Sequence, residues 1–367
     1  FNRAAAVSAD GRRIRIVQPG KWNLLGGPDF HGARLAFGDG HEITGDIEVH
    51  LRASDWDAHG HARDPAYDGV VLHVVLFPPE PGRVTRGDGG RELPILALLP
   101  LLHHDLEEFA AEDAVEALAN RPAVQIADEL ALLPPHELVE ILRRHAEARW
   151  QQKVHFARLR VNRLGWDAAC HHIALEILGY RFNRAPMLRV AGRYPLAEWG
   201  RGAVNPEEAF AAESGGWSLQ GVRPANQPRA RLRQYAAWTR VRPDWPARAM
   251  ALAATLPLVN GITKTREVRR THLFPALRET IAREICGDAV GGTRLDNFIC
   301  DGFLPLIASQ RELVFSAVWL HWFAGDLPPF LTGGLRLLGV FDGRNQPACH
   351  GIAQGLLGWL LERESRR

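Results

Sequence analysis

Lysine is nearly missing from this 367-residue sequence: three stand against 41 arginines. Cysteine is sparse too. Cys170, Cys286, Cys300 and Cys349 lie far apart, with no Cys-x-x-Cys pair. That scatter excludes a disulfide framework and a zinc ribbon, and it points to reduced, buried thiols in a cytoplasmic protein. Long apolar runs are absent as well. The longest, Leu93 to Leu102, contains two prolines and is far too short to span a bilayer, so no membrane partner is expected. No charged-then-apolar signal segment opens the chain. It begins at Phe1 and not at a methionine, which is compatible with a trimmed leading segment. No self-similarity at a fixed period marks a solenoid or propeller.

What is present is ordinary in bulk and uneven in detail. Hydrophobic residues make up 46% and charged residues 23% of the chain, as in soluble globular proteins, and the length favours two domains. The net charge of +2 hides an asymmetry. Residues 1–80 carry 8 basic and 11 acidic side chains, and residues 81–142 carry 4 and 12. Residues 143–275 then carry 23 and 9, a local balance of +14, before residues 276–367 return to near neutrality with 9 and 10. A basic middle is the footprint of phosphate-backbone binding, which makes nucleic acid the expected partner. The plainer alternative is a solvated face in a chain whose basic residues are almost all arginine.

Periodicity divides the chain. Arg13 to Val17 alternates, the Gln18 to Asn23 stretch breaks the pattern, and Ala33 to Phe37 is a second short run ahead of a Gly38-Asp-Gly40 hairpin signal. Ile43, Gly45, Ile47, Val49 and Leu51 share one strand face, with Thr44, Asp46, Glu48 and His50 on the other. Val70 to Leu76 is apolar enough for a central strand. After a Pro/Gly-rich loop over 78–90, residues 92–99 suit one more strand. From His103 onward the period is helical, with His103-His104 at the turn into it. Helices are expected from Pro135, over 167–178 with Asp167 as N-cap, and over 229–240, 273–286, 296–322 in two pieces, and 346–363. The expected fold class is therefore α+β: a mixed-sheet α/β domain over 1–102, then a larger all-helical domain over 103–367 covering or extending its cleft.

The chemistry concentrates early. Asp29 lies at the mouth of one strand, and Glu48 follows in the middle of its hairpin partner, with His50 two residues on and on the same face. Phosphodiester hydrolysis needs this kind of set: two carboxylates to hold a divalent cation, and a third group to orient or deprotonate the attacking water. Asp29 and Glu48 are the candidate metal ligands, Asp29, Glu48 and His50 the candidate catalytic residues, and Mg²⁺ or Mn²⁺ the expected ion.

Pro28-Asp29 with Glu48-Val49-His50 resembles the PD-(D/E)XK nuclease superfamily, with its restriction-endonuclease-like fold. The chain departs from that pattern at His50, where the superfamily has lysine and hence a fixed positive charge. The run Ser54 to His61 (Ser-Asp-Trp-Asp-Ala-His-Gly-His), Asp64-Pro-Ala-Tyr67 and Val71-Leu-His-Val-Val75 is more specific. Together with Gly27 to Phe30 and Glu48 to His50, it looks like the bacterial family known as domain of unknown function 2851. Leu178 to Asn183, Arg223 to Asn226 with Pro228 and Arg231, and Arg294 to Asp296 ahead of Phe303-Leu-Pro305 resemble that family more loosely. The resemblance implies a fold class, a nuclease ancestry and a short helix ahead of the first strand, preceding Phe1. It supplies no activity, substrate or catalytic residue.

His50, His59, His61 and His73 lie close together in sequence, with Asn23, Asp55, Trp56, Asp64 and Tyr67 as further candidates around them. They fit three roles. They can support the metal carboxylates or grip a substrate phosphate. The His59-x-His61 pair and His73 can bind a transition metal directly, as in cupin-like barrels. Or they can brace the hairpin through buried hydrogen bonds. Cys170-His171-His172 lies inside a helix, where consecutive residues diverge, and is read as structural. Arg223, Arg229 and Arg231 are candidate phosphate contacts, with Asn226 as a helix cap as the alternative. Three functions stay open: a metal-dependent nuclease, a nuclease-derived scaffold without chemistry, and a histidine-ligated metalloenzyme.

Overall fold

Strand alternation produces the predicted hairpin. In the computed structural model, which describes residues 6–23, 26–38, 40–101, 128, 130–213, 215–220, 222–259, 264–311, 315–341 and 347–365, β3 (Phe30–Phe37) and β4 (Glu42–His50) are antiparallel. Ala33 sits opposite Gly45 and Leu35 opposite Ile43. Asp39 of the turn signal and the His103-His104 pair lie outside the described residues. Two compact units are present, residues 1–106 and residues 107–367.

In the N-terminal unit, β1 (Ile14–Gln18) and the short β2 (Lys21–Trp22) both pair antiparallel with β3. β5 (Val70–Val75) then lies parallel to β4, and β8 (Ile95–Ala97) lies parallel to β5, giving the order β1-β3-β4-β5-β8. The sheet is mixed. The region expected to add one strand after residue 92 instead forms two. β7 (Glu92–Leu93) pairs with β6 (Thr85–Arg86) in a separate ribbon, and Pro94, which cannot donate to a ladder, separates it from β8. One sheet face buries Ala33, Leu35, Ile47, Leu72, Val74 and Leu96. The other carries Glu48 and His50 on β4 and His73 on β5.

A parallel β4–β5 pair cannot be joined by a tight turn. The crossover over residues 51–69 makes the connection through α1 (Asp55–Ala58) and two 3-10 turns, His61–Arg63 and Pro65–Tyr67. It delivers the remaining histidines to the Glu48 face.

The second unit is helical. Its helices include Pro135–Leu164, Trp166–Leu178, Tyr180–Arg193, Pro228–Val241, Phe274–Glu284 and His350–Ser365. Their core holds Trp199, Tyr235, Trp238, Trp245 and Phe298, and all four cysteines are buried and unpaired. Asp167 is not a cap. Gly165, at φ 81, ends the preceding helix, and the next restarts at once from Trp166, which leaves Asp167 inside its first turn. The stretch expected as two helices from 296 is more broken. Pro305 has no N–H to give the carbonyl of Asp301, and a π-helical turn, Phe298–Phe303, separates Gly292–Asn297 from Leu304–Gln310. No helix of the described residues is long and apolar enough to cross a membrane.

Candidate metal centre

The site starts from a clasp between two strands. The Asn23 side-chain amide donates to the carbonyls of Gly26 (3.1 Å) and Pro28 (3.0 Å), and its backbone N–H donates to the Asp29 carbonyl at 2.7 Å. This shapes the entry to β3. The Asp29 N–H then donates to Glu48 Oε2 at 3.1 Å, and the Val49 N–H donates to Asp29 Oδ2 at 2.9 Å. The two acidic residues therefore stand side by side, each with one carboxylate oxygen held by the other strand's backbone. Burial, and after it the charge of Asp29, pushes the Glu48 pKa up to about 7.

Glu48 Oε1 points the other way, into the histidines. It lies 3.4 Å from His50 Nε2 and 3.5 Å from His61 Nε2. His50 Nε2 is in turn 3.1 Å from His59 Nδ1 and 3.3 Å from His61 Nε2. The ligand atoms of His50, His59 and His61 all lie within 4.8 Å of one another. Ligands placed 2.0–2.1 Å from a tetrahedral ion are separated from each other by about 3.3–3.4 Å. Four of the six separations among these atoms, 3.1 to 3.5 Å, scatter around that value.

Each neutral imidazole has one donor and one acceptor, so two protons can pair these atoms, one from His50 Nε2–H to His59 Nδ1 and one from His61 Nε2–H to Glu48 Oε1. With the nitrogen lone pairs turned toward one another instead, His50, His59 and His61 could hold a metal ion. Burial, followed by the neighbouring histidines, lowers the pKa of His50 and of His61, which keeps their lone pairs available.

The other predicted residues form the frame. His59 caps α1, and Gly60 follows in the left-handed region at φ 74, which folds the chain back so that His59 and His61 face one point. Asp55 Oδ2 accepts the Arg52 N–H at 2.9 Å, and Asp64 Oδ1 accepts the Ala66 N–H at 2.9 Å. The turn capped by Asp64 carries Tyr67, whose ring stacks on His61 with centroids 3.8 Å apart. Trp56 is fully buried, 5.3 Å from the rings of both His61 and His73, and its Nε1 donates to the Arg86 carbonyl at 2.9 Å.

His73 is not a corner of the site; of the three roles open to it, direct metal ligation beside His59 and His61 is the one this placement does not match. On β5 it pairs across from Glu48, and it sits behind His50, its Nε2 being 2.9 Å from His50 Nδ1. Its Nδ1 meets Thr85 Oγ1 at 2.8 Å. The sequence carries no signal for Thr85, a lone threonine in a Pro/Gly-rich loop.

The three arginines singled out earlier are in the helical unit, in different surroundings. Arg223 is exposed. Arg229 meets Glu207 at 3.2 Å and lies over the Phe210 ring. Arg231 is buried, bonded to Gln234 at 2.6 Å and to Asn226. Asn226 therefore serves Arg231, and the following helix begins at Pro228 without a side-chain cap.

No curated protein and no solved structure matches the chain. The family described as "Protein of unknown function (DUF2851)" matches residues 1–213, more than half of the sequence, and the chain belongs to it.

Proposed function

We propose that the N-terminal unit is a metal-dependent phosphodiesterase whose ion is held by His50, His59, His61 and Glu48. The observation that carries this reading is that the ligand nitrogens of His50, His59 and His61 lie within 4.8 Å of one another, with Glu48 Oε1 at 3.4 and 3.5 Å from two of them. Three nitrogens and one oxygen suit a transition ion such as zinc or ferrous iron. Mg²⁺, expected on Asp29 and Glu48 alone, prefers oxygen ligands throughout, whereas Mn²⁺ is compatible with the carboxylate. A bound ion of this class supplies charge stabilisation at a phosphoryl oxygen and a water of lowered pKa. Asp29, with Oδ2 held by Val49, keeps Oδ1 to take a proton from the attacking water. Glu48 ties that carboxylate to the histidines. The resemblance of Pro28-Asp29 and Glu48-Val-His50 to nuclease motifs supports a phosphodiester substrate, and the basic excess over 143–275 supports a nucleic acid.

A second reading has its own observation. Three histidine nitrogens with the Glu48 carboxylate beside two of them supply as many donors as a closed structural zinc site uses. On that reading the ion staples the 51–69 crossover to β4, and the protein is a binding module. The test uses the full chain, loaded in turn with Zn²⁺, Mn²⁺, Fe²⁺ and Mg²⁺. Metal content is measured by mass spectrometry, and cleavage by incubation with single- and double-stranded DNA and RNA. One equivalent of transition metal, with cleavage lost in Glu48→Gln, is expected. Metal without cleavage moves the assignment to the staple, and no bound metal from any of the four removes both readings.

A further inference from the structure

Behind the metal-facing nitrogen of His50 lies a second, fully enclosed set of groups. His73 and Thr85 are 0% and 1% exposed. The contacts run in one line, His50 Nδ1 to His73 Nε2 at 2.9 Å and His73 Nδ1 to Thr85 Oγ1 at 2.8 Å. Both nitrogens of His73 are thus occupied, and neither reaches the point where His50, His59, His61 and Glu48 converge.

The strand that supplies Thr85 is itself anchored. Its next residue, Arg86, accepts the Trp56 indole N–H at 2.9 Å, and both residues pair with Glu92–Leu93 in the ribbon. On β5, the His73 N–H donates to the Pro94 carbonyl at 3.0 Å. The hydroxyl that closes the line is therefore fixed from two directions, by α1 and by the ribbon.

We infer that His73 and Thr85 are positioning residues that dictate which nitrogen of His50 is offered to the metal. This rests on the metal reading proposed above and assigns it a supporting relay. Each neutral ring carries one proton, so the line has only two consistent directions. When His50 Nε2 presents its lone pair, Nδ1–H donates to His73 Nε2, and His73 Nδ1–H donates to Thr85 Oγ1. When the line runs in reverse, the Thr85 hydroxyl donates to His73 Nδ1, His73 Nε2–H donates to His50 Nδ1, and a proton occupies His50 Nε2. Only the first direction leaves His50 able to ligate. Each ring keeps one proton in both, so the two directions differ by tautomer alone. A hydroxyl both donates and accepts, and it can terminate either direction; a methyl group can terminate neither. Partners of this kind typically change metal affinity 10- to 100-fold when removed.

The test compares Thr85→Val, which keeps the volume, with Thr85→Ser, which restores the hydroxyl. Zn²⁺ dissociation constants are read by competition with a chromophoric chelator, and folding is checked by circular dichroism. Thr85→Val should weaken Zn²⁺ binding by roughly 10- to 100-fold, and Thr85→Ser should return it to the wild-type value. In the Zn²⁺-loaded wild type, ¹⁵N chemical shifts should place the His73 proton on Nδ1. That readout holds even where Thr85→Val fails to fold. Folded Thr85→Val with wild-type affinity, or a His73 proton on Nε2 in the loaded protein, overturns the relay and leaves the metal site standing. A wild type that binds no Zn²⁺ overturns the site and the relay together.

Discussion

The two units use histidine in opposite ways. In the N-terminal unit, His50, His59 and His61 aim their nitrogens at one another. In the helical unit His171, His321 and His145 are each held by partners of their own. His171 Nδ1 meets the Tyr235 hydroxyl at 2.7 Å and Nε2 meets the Tyr194 carbonyl at 2.9 Å; His321 Nδ1 meets Thr265 Oγ1 at 3.0 Å. His145 faces Glu362 at 3.4 Å. Among the described residues, no comparable trio converges in the helical unit. A count of histidines does not separate these cases, since Cys170-His171-His172 looks as ligand-rich in sequence as His59-Gly-His61. What separates them is whether the ring nitrogens find protein donors and acceptors of their own. Where they face one another beside a carboxylate, they form a group that could hold a cation.

The largest expected effect breaks the first half of that contrast. His50→Lys removes one corner and places a permanent cation where the ion would sit. Metal binding should fall by at least about 100-fold, beyond what loss of a supporting partner costs. Calorimetric titration with Zn²⁺ measures it. If Asp29 and Glu48 alone hold Mg²⁺, the same swap restores the usual nuclease residue, and cleavage is retained or rises. The outcome decides between the two metal sites on one variant. His171→Gln, by contrast, should leave metal binding unchanged.

Metal removal should act on one unit only. An ion present at about 1,000 times its dissociation constant contributes roughly 4 kcal/mol to the unit that binds it. After chelation, hydrogen exchange should quicken across 48–50, 54–67 and 70–75, which carry the ligands and their frame. Helices Trp166–Leu178 and Pro228–Val241 should keep their protection. Equal loss of protection in both units, or none in either, would contradict a site confined to residues 1–106.

Much of the frame was legible, because it is local. Alternation located β1 and β4, short apolar runs located β5 and most of β3, and helical period located a helix starting at Pro135 and one over 229–240, since these patterns need only neighbours in sequence. The pairing of Asp29 with Glu48 followed from hairpin register. The assignment of roles among the histidines did not, because it depends on the path of the 51–69 crossover. Gly60 turns His59 and His61 toward β4, and strand pairing sets His73 behind His50. Asp55, Trp56, Asp64 and Tyr67, read as supporting or substrate-contacting groups, hold or cover that crossover. Thr85 reaches the site only through tertiary packing, and nothing in its sequence neighbourhood marks it.

The pH response sharpens the second half of the contrast. Burial lowers the pKa values of His171, His321 and His350 to about 4 each, from an ordinary 6.5. The unfolded chain binds protons on these residues below pH 6.5, and the folded unit does not until about pH 4. Their contribution to stability is therefore complete above pH 6.5 and is lost progressively as the pH falls from 6.5 toward 4. The melting temperature of the helical unit, followed by exchange at Trp166–Leu178, should fall across that window. His171→Gln removes one titrating group and should make the fall shallower. A melting temperature independent of pH between 7 and 4.5 would mean that these rings take up protons in place.

The smallest expected effect concerns the charge excess over residues 143–275. Acidic side chains already answer many of its arginines: Arg189 meets Glu213 at 2.6 Å, Arg233 meets Glu207 at 2.6 Å, and Arg160 is paired with Glu176 in the core. Such pairing narrows the set able to contact phosphates, and it separates the three candidates. Arg223 is exposed, Arg229 shares Glu207 with Arg233, and Arg231 is buried on Gln234 and Asn226. If this region binds a nucleic-acid backbone, each phosphate contact releases counterions, so log affinity falls with log salt by about 0.7–0.9 per contact. Arg223→Ala should reduce that slope by about one contact, Arg229→Ala by less, and Arg231→Ala by nothing beyond any loss of folded protein. Fluorescence anisotropy with single- and double-stranded DNA and RNA, from 20 to about 200 mM salt, gives the slopes. No binding at the lowest salt would make the excess a property of composition, and the partner would then have to be sought among proteins or small molecules. A slope that changes only in Arg231→Ala would place the contact in the packed interior, against the exposure that distinguishes these arginines.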